Sequence, residues 1–140
     1  MIAPRGRAEL HALLDAAEVS ELLHGAPFAV VDETTWRTGI AGDDQPGWQA
    51  AAHATGSVTA WRRVADGSGR AVELQVVPLA DPAGAAAALA AATAHGLRRA
   101  PVDDVPTRRA TTDRFLVIAR GEGVDGAGLD AVVAAQLARL

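Results

Sequence analysis

The chain has 140 residues, a net charge of −4, 13 arginines and no lysine, with 49% hydrophobic and 21% charged residues. That size suits one domain with a sizeable core. The acidic balance argues against a nucleic-acid footprint, and the absence of cysteine excludes disulfides, thiolate metal sites and cysteine nucleophiles.

In chain order, the N-terminal stretch MIAPRGRAELHALL is charged through Arg5, Arg7 and Glu9 and has no signal-peptide apolar core. It implies a cytoplasmic protein if Met1 is the natural start, and an extracytoplasmic one if a leader has been removed. A helical turn or two is expected over Arg7–Leu14. Asp15, with Glu18 three residues on, is a capping box that starts a helix with Val19, Leu22 and Leu23 on its apolar face, and Gly25 stops it. Phe28 to Asp32 reads as a short strand. Thr34 to Gly56 is the least regular part of the chain and reads as a long connection holding Trp36, Trp48, Asp43, Asp44 and His53, with Pro46 opening a short helix.

Val58 to Pro78 reads as a hairpin. Val72, Leu74 and Val76 alternate with Glu73, Gln75 and Val77, and Asp66-Gly67-Ser68-Gly69 provides the turn back to Val58–Val64. Asp81-Pro82 then opens an alanine-rich helix expected to run to about His95, with Gly96 at its C-terminal exit. A crossing loop over Leu97–Val105 leads to a second hairpin, Thr107–Thr112 turning at Asp113-Arg114 into Phe115–Ala119. Asp125 caps a final helix with a stripe of Leu129, Val132, Val133, Leu137 and Leu140. The order implies a single α+β domain over residues 1–140, a largely antiparallel sheet with helices packed on one face as a two-layer sandwich. No stretch has the apolar run of a membrane-crossing helix.

The segments LLDAAEVSELLHGAPFAVVDE and RFLVIARGEGVDGAGLDAVVAAQLARL resemble small actinobacterial sensor or lipoprotein domains, including extracellular domains of some serine/threonine kinases. The resemblance implies a PsbP-like α/β sandwich and a sensory or ligand-binding role without catalytic residues.

No HxH, HxxxH or HExxH spacing and no G-x-S-x-G elbow is present, so neither a metal site, a cofactor nor a nucleophile is expected. In a strand, one residue of each pair Arg62-Arg63 and Arg108-Arg109 faces each side, so if the two hairpins lie side by side Arg63 and Arg109 are the pair expected to converge with Trp61 on the open sheet face. Arginine forks suit carboxylates and phosphates, and an aromatic beside them suits a planar anionic ligand. The candidate ligand-binding residues are therefore Trp36, Trp48, Trp61, Arg63, Arg109 and His53. A small-molecule or protein ligand is expected to meet the loop 34–56 and that face. Two alternatives stand beside this reading. One is a small hydrolase or isomerase using His53 with Asp43 or Asp44. The other is an interaction subunit, a homodimer included, docking through an exposed sheet edge or the alanine helix.

Overall fold

A computed structural model of the chain describes residues 10–37, 58–99 and 105–140. Three helices and five strands follow one another as α1 (Ala16–Leu23), β1 (Ala29–Arg37), β2 (Val58–Ala65), β3 (Ala71–Pro78), α2 (Pro82–Arg99), β4 (Thr107–Thr112), β5 (Phe115–Glu122) and α3 (Gly126–Arg139). The strands form one antiparallel sheet in the order β1-β2-β3-β5-β4, with the two hairpins side by side through β3 and β5. The chain is an α+β sandwich.

The helix starts are set by the expected residues. Asp15 accepts from the Glu18 amide at 2.8 Å while Glu18 accepts from the Asp15 amide at 3.2 Å, so two of the free donors of the first turn of α1 are satisfied. Asp81 accepts from the Gly84 amide and Asp125 from the Gly128 amide, each at 2.7 Å. The exit from α1 begins at His24, whose φ is 58°, and Gly25 continues it.

Three elements run longer than the sequence pattern implies. The strand expected over Phe28–Asp32 reaches Arg37, so Thr34, Thr35 and Trp36 belong to β1 rather than to the following connection. They pair with Trp61, Ala60 and Thr59, and β-branched and aromatic residues suit a pleated ladder once that partner exists. Helix α2 passes through Gly96 and ends at Arg99, two residues short of Pro101. A glycine inside a helix costs about 1 kcal/mol, which packing on the sheet offsets, whereas a proline blocks the turn before it. Strand β5 extends three residues past Ala119 because Arg120 and Glu122 pair with Glu73 and Ala71.

Strand alternation divides the apolar side chains between two faces. On one face Ala60, Val64, Val72, Leu74, Val76, Val117 and Ala119 bury against Leu13 and Leu14 ahead of α1, Val19 of α1, and Leu129, Val132 and Val133 of α3. On the other, Val77, Leu116 and Ile118 pack against Ala85, Ala88 and Ala92 of α2, with Leu79. The helices therefore sit on both faces, and α2 covers the half of its face formed by β4 and β5.

A buried glutamine ties the N-terminal segment to the last helix. Gln136 accepts from the Leu14 amide at 2.9 Å and donates to the Ala12 carbonyl at 2.6 Å, with no exposed surface. Gln136→Leu keeps the volume but orphans both backbone groups, so it is expected to lower stability by about 2 kcal/mol in a denaturant titration. An unchanged midpoint would mean that residues 12–14 are not held this way.

Candidate functional site

On the side of the sheet that carries α2, the face of β1, β2 and β3 is built by period-two alternation and fixed by register. The pairs Asp32–Arg63, Arg63–Glu73, Glu73–Arg120 and Arg120–Thr107 form one row across all five strands. The next row is Thr34, Trp61, Gln75, Ile118 and Arg109. With the two hairpins side by side, this register puts Trp61, Arg63 and Arg109 on the same face.

The first row is a ladder of alternating charge. Arg63 donates from both terminal nitrogens to Glu122, Nη1 to Oε1 at 3.3 Å and Nη2 to Oε2 at 3.1 Å, and Nη1 also reaches Glu73 Oε1 at 3.2 Å. Arg120 stands 3.9 Å from the other Glu73 oxygen. The Glu122 hydrogen bonds raise the Arg63 pKa, and Arg63 in turn lowers that of Glu122. Such fork-to-carboxylate pairing fixes geometry more than it adds stability on a partly exposed face.

Arg109 differs. It has no carboxylate partner among the described residues, and burial, then repulsion from Arg120, lowers its pKa. It lies three strands from Trp61, about 14 Å at the usual strand spacing. Ile118, against which α2 packs, stands between them. Trp61 and Arg63 thus belong to one half-exposed patch, and Arg109 to the margin of α2.

The neighbouring arginines serve the opposite face. Arg62 binds Glu33 at 2.7 Å and donates to the Leu14 carbonyl at 2.9 Å, pinning residues 13–14 to the sheet. Arg108 binds Asp130 of α3 at 2.7 Å. Each arginine pair splits between faces, one member holding a helix or segment and the other lining the opposite side.

Trp36 lies at the end of β1, opposite Thr59. Trp48, His53, Asp43 and Asp44 lie outside the described residues, as does the helix expected from Pro46. His24 is the exposed C-cap of α1 and His95 falls in the last turns of α2. Ser20 donates to the Ala16 carbonyl and accepts from the Phe28 amide, which binds α1 to β1. Among the described residues, no three histidine, aspartate or glutamate side chains group as metal ligands, and no helix is long and apolar enough to cross a membrane.

Glu73, Gln75, Arg120 and Glu122 complete the patch. The outward position of Glu73 and Gln75 is readable from the alternation in β3, whereas their partnership with Arg63 depends on register. Comparison with protein-family models, curated proteins and solved structures finds no match in any of the three.

Proposed function

We propose that the chain is a non-enzymatic binding module whose ligand or partner lies across β1, β2 and β3, against Trp61, Gln75 and Arg63. The sensor-like role belongs to the same proposal and rests on the resemblance of the two terminal segments. The observation that carries the reading is the place of Trp61, half-buried on β2 beyond the strands on which α2 mainly packs, beside a row of fixed charges. An indole there supplies large contact area at small entropic cost, since only two side-chain angles must be fixed. Gln75 beside it offers both a donor and an acceptor. Arg63 is already oriented by Glu73 and Glu122, and a ligand carboxylate would take the place of the more exposed Glu122. A ligand that also uses Arg109 must span the intervening strands, about the length of four or five extended residues.

Heteronuclear NMR with a library of small planar carboxylates and amides tests this reading. Shifts are expected to cluster at the Trp61 indole, the Gln75 side-chain amide and the Arg63 guanidinium. Trp61→Ala should abolish them while the folded spectrum persists. Perturbations confined to other surfaces, or none at all, would sink the proposal.

A further inference from the structure

We propose that the chain forms a symmetric homodimer through antiparallel pairing of β1 with β1 of a second copy, about a twofold axis through Thr35 perpendicular to the sheet. Among the described residues β1 pairs only with β2, and one side of this nine-residue strand has no ladder partner among them. The other edge, β4, is six residues long, follows Pro106 and carries Arg108 and Arg109, devices that discourage edge pairing. Strand β1 is longer and has no proline; its charges are of both signs, Asp32 and Glu33 against Arg37, so a second copy can match them, and its start exposes Val30 and Val31 at 46% and 60%. The irregularity between Val30 and Asp32 leaves Asp32 to Arg37 as the regular stretch available to a second copy.

Charge selects the register. Directly opposed residues of an antiparallel pair share a face, so a strand can pair with its own copy only about a residue, not about a bond. Centring on Glu33 would set that carboxylate against itself, and like charges directly opposite are unfavourable. Centring on Thr34 sets Asp32 opposite Trp36 and Glu33 opposite Thr35, with no charge matched. Centring on Thr35 sets Glu33 opposite Arg37 and Thr34 opposite Trp36, each twice, and Thr35 opposite itself. Glu33 and Arg37 lie on one face, since they pair with Arg62 and Val58 of β2. This register alone opposes complementary charges.

An axis perpendicular to the sheet keeps faces together. Ten strands would become continuous, with the Trp61 patches of both copies on one side and the two α2 helices at the outer flanks. The dimer stands independently of the binding proposal, because mass reports the one and shifts at Trp61 report the other.

The natural absence of cysteine makes the register directly testable. Sedimentation of the full chain over a concentration series should show a monomer–dimer equilibrium, and Arg37→Glu should weaken it about tenfold by opposing two acidic pairs. Under oxidation, Thr35→Cys should give a disulfide-linked dimer, because a self-opposed residue brings two Cα atoms to about 5 Å. Thr34→Cys should not, since its own copy lies diagonally at about 7–8 Å. A monomer at every concentration, cross-linking by Thr34→Cys as readily as by Thr35→Cys, or indifference to Arg37→Glu would each overturn the proposal.

Discussion

Arg70→Ala is expected to lower stability by about 3 kcal/mol, because one guanidinium closes the C-terminus of α1. Its terminal nitrogens donate to the carbonyls of Leu23, His24 and Ala26 at 3.3, 2.7 and 3.2 Å. The first two are acceptors that a helix end leaves without partners and the third belongs to the turn that follows, and each orphaned one costs about 1 kcal/mol. The same side chain lies 4.8 Å from the Phe28 ring centroid and binds Asp66 at 2.6 Å. It therefore joins the β2–β3 turn, the end of α1 and the entry to β1. Arg70→Lys is expected to recover only part of the loss, since an ammonium lacks the fork that serves separate carbonyls. A midpoint for Arg70→Ala within about 1 kcal/mol of the parent would contradict this account.

The same cluster gives a signed pH dependence. The Arg70 hydrogen bond holds the Asp66 carboxyl well below the ordinary aspartate range, assisted by the Ser68 amide and hydroxyl. Below the unfolded value of about 3.9 the unfolded chain then binds the proton more readily than the folded one. The Asp66 contribution is thus complete above that value and is lost as pH falls toward the folded one. Asp66→Asn should flatten this part of the acid limb in a pH series of denaturation midpoints, and an unchanged slope would contradict the assignment.

Gly123→Ala is expected to cost about 3 kcal/mol, as left-handed strain and a backbone clash add. Gly123 has φ 66°, and a Cβ built there would stand 2.7 Å from the Gly69 carbonyl oxygen. The obstacle is backbone in the β2–β3 turn, so no rotamer change relieves it. This close approach locks that turn to the loop between β5 and α3. Gly67→Ala is the control: its φ is 77° but nothing lies within 4 Å, so it should lose only the conformational part. Equal losses in the two variants would mean that the clash is absent.

Features fixed by local chemistry were legible in the residues alone. Asp15, Asp81 and Asp125 cap helices because an aspartate before a helical run serves free amides whatever the tertiary setting. Val72, Leu74 and Val76 face the core because period-two alternation leaves no other choice. The same period places Trp61 and Arg63 on one face of β2, whereas Arg109 joins that face through the register of four strands. Features requiring a distant partner were not legible. Thr34–Trp36 look like loop until β2 is beside them, and α2 crosses Gly96 because packing on β4 and β5 outweighs propensity. Gln136, within an otherwise apolar stripe, reveals its role only once Ala12 and Leu14 reach it from the far end of the chain. The same holds for Arg63: its face follows from sequence, whereas the Glu73–Glu122 cradle needs the register of three strands.

Acrylamide quenching of Trp61 in a chain carrying Trp36→Phe and Trp48→Phe tests the central claim, that the sheet face over β1–β3 is an open recognition surface. Fluorescence from Trp61 alone should be readily quenched, with an emission maximum between buried and fully solvated indole. A bound fragment that shifts the Trp61 indole resonance should also reduce that quenching. Emission that is blue-shifted and protected in the free chain would mean that the face is already covered, and would contradict the account.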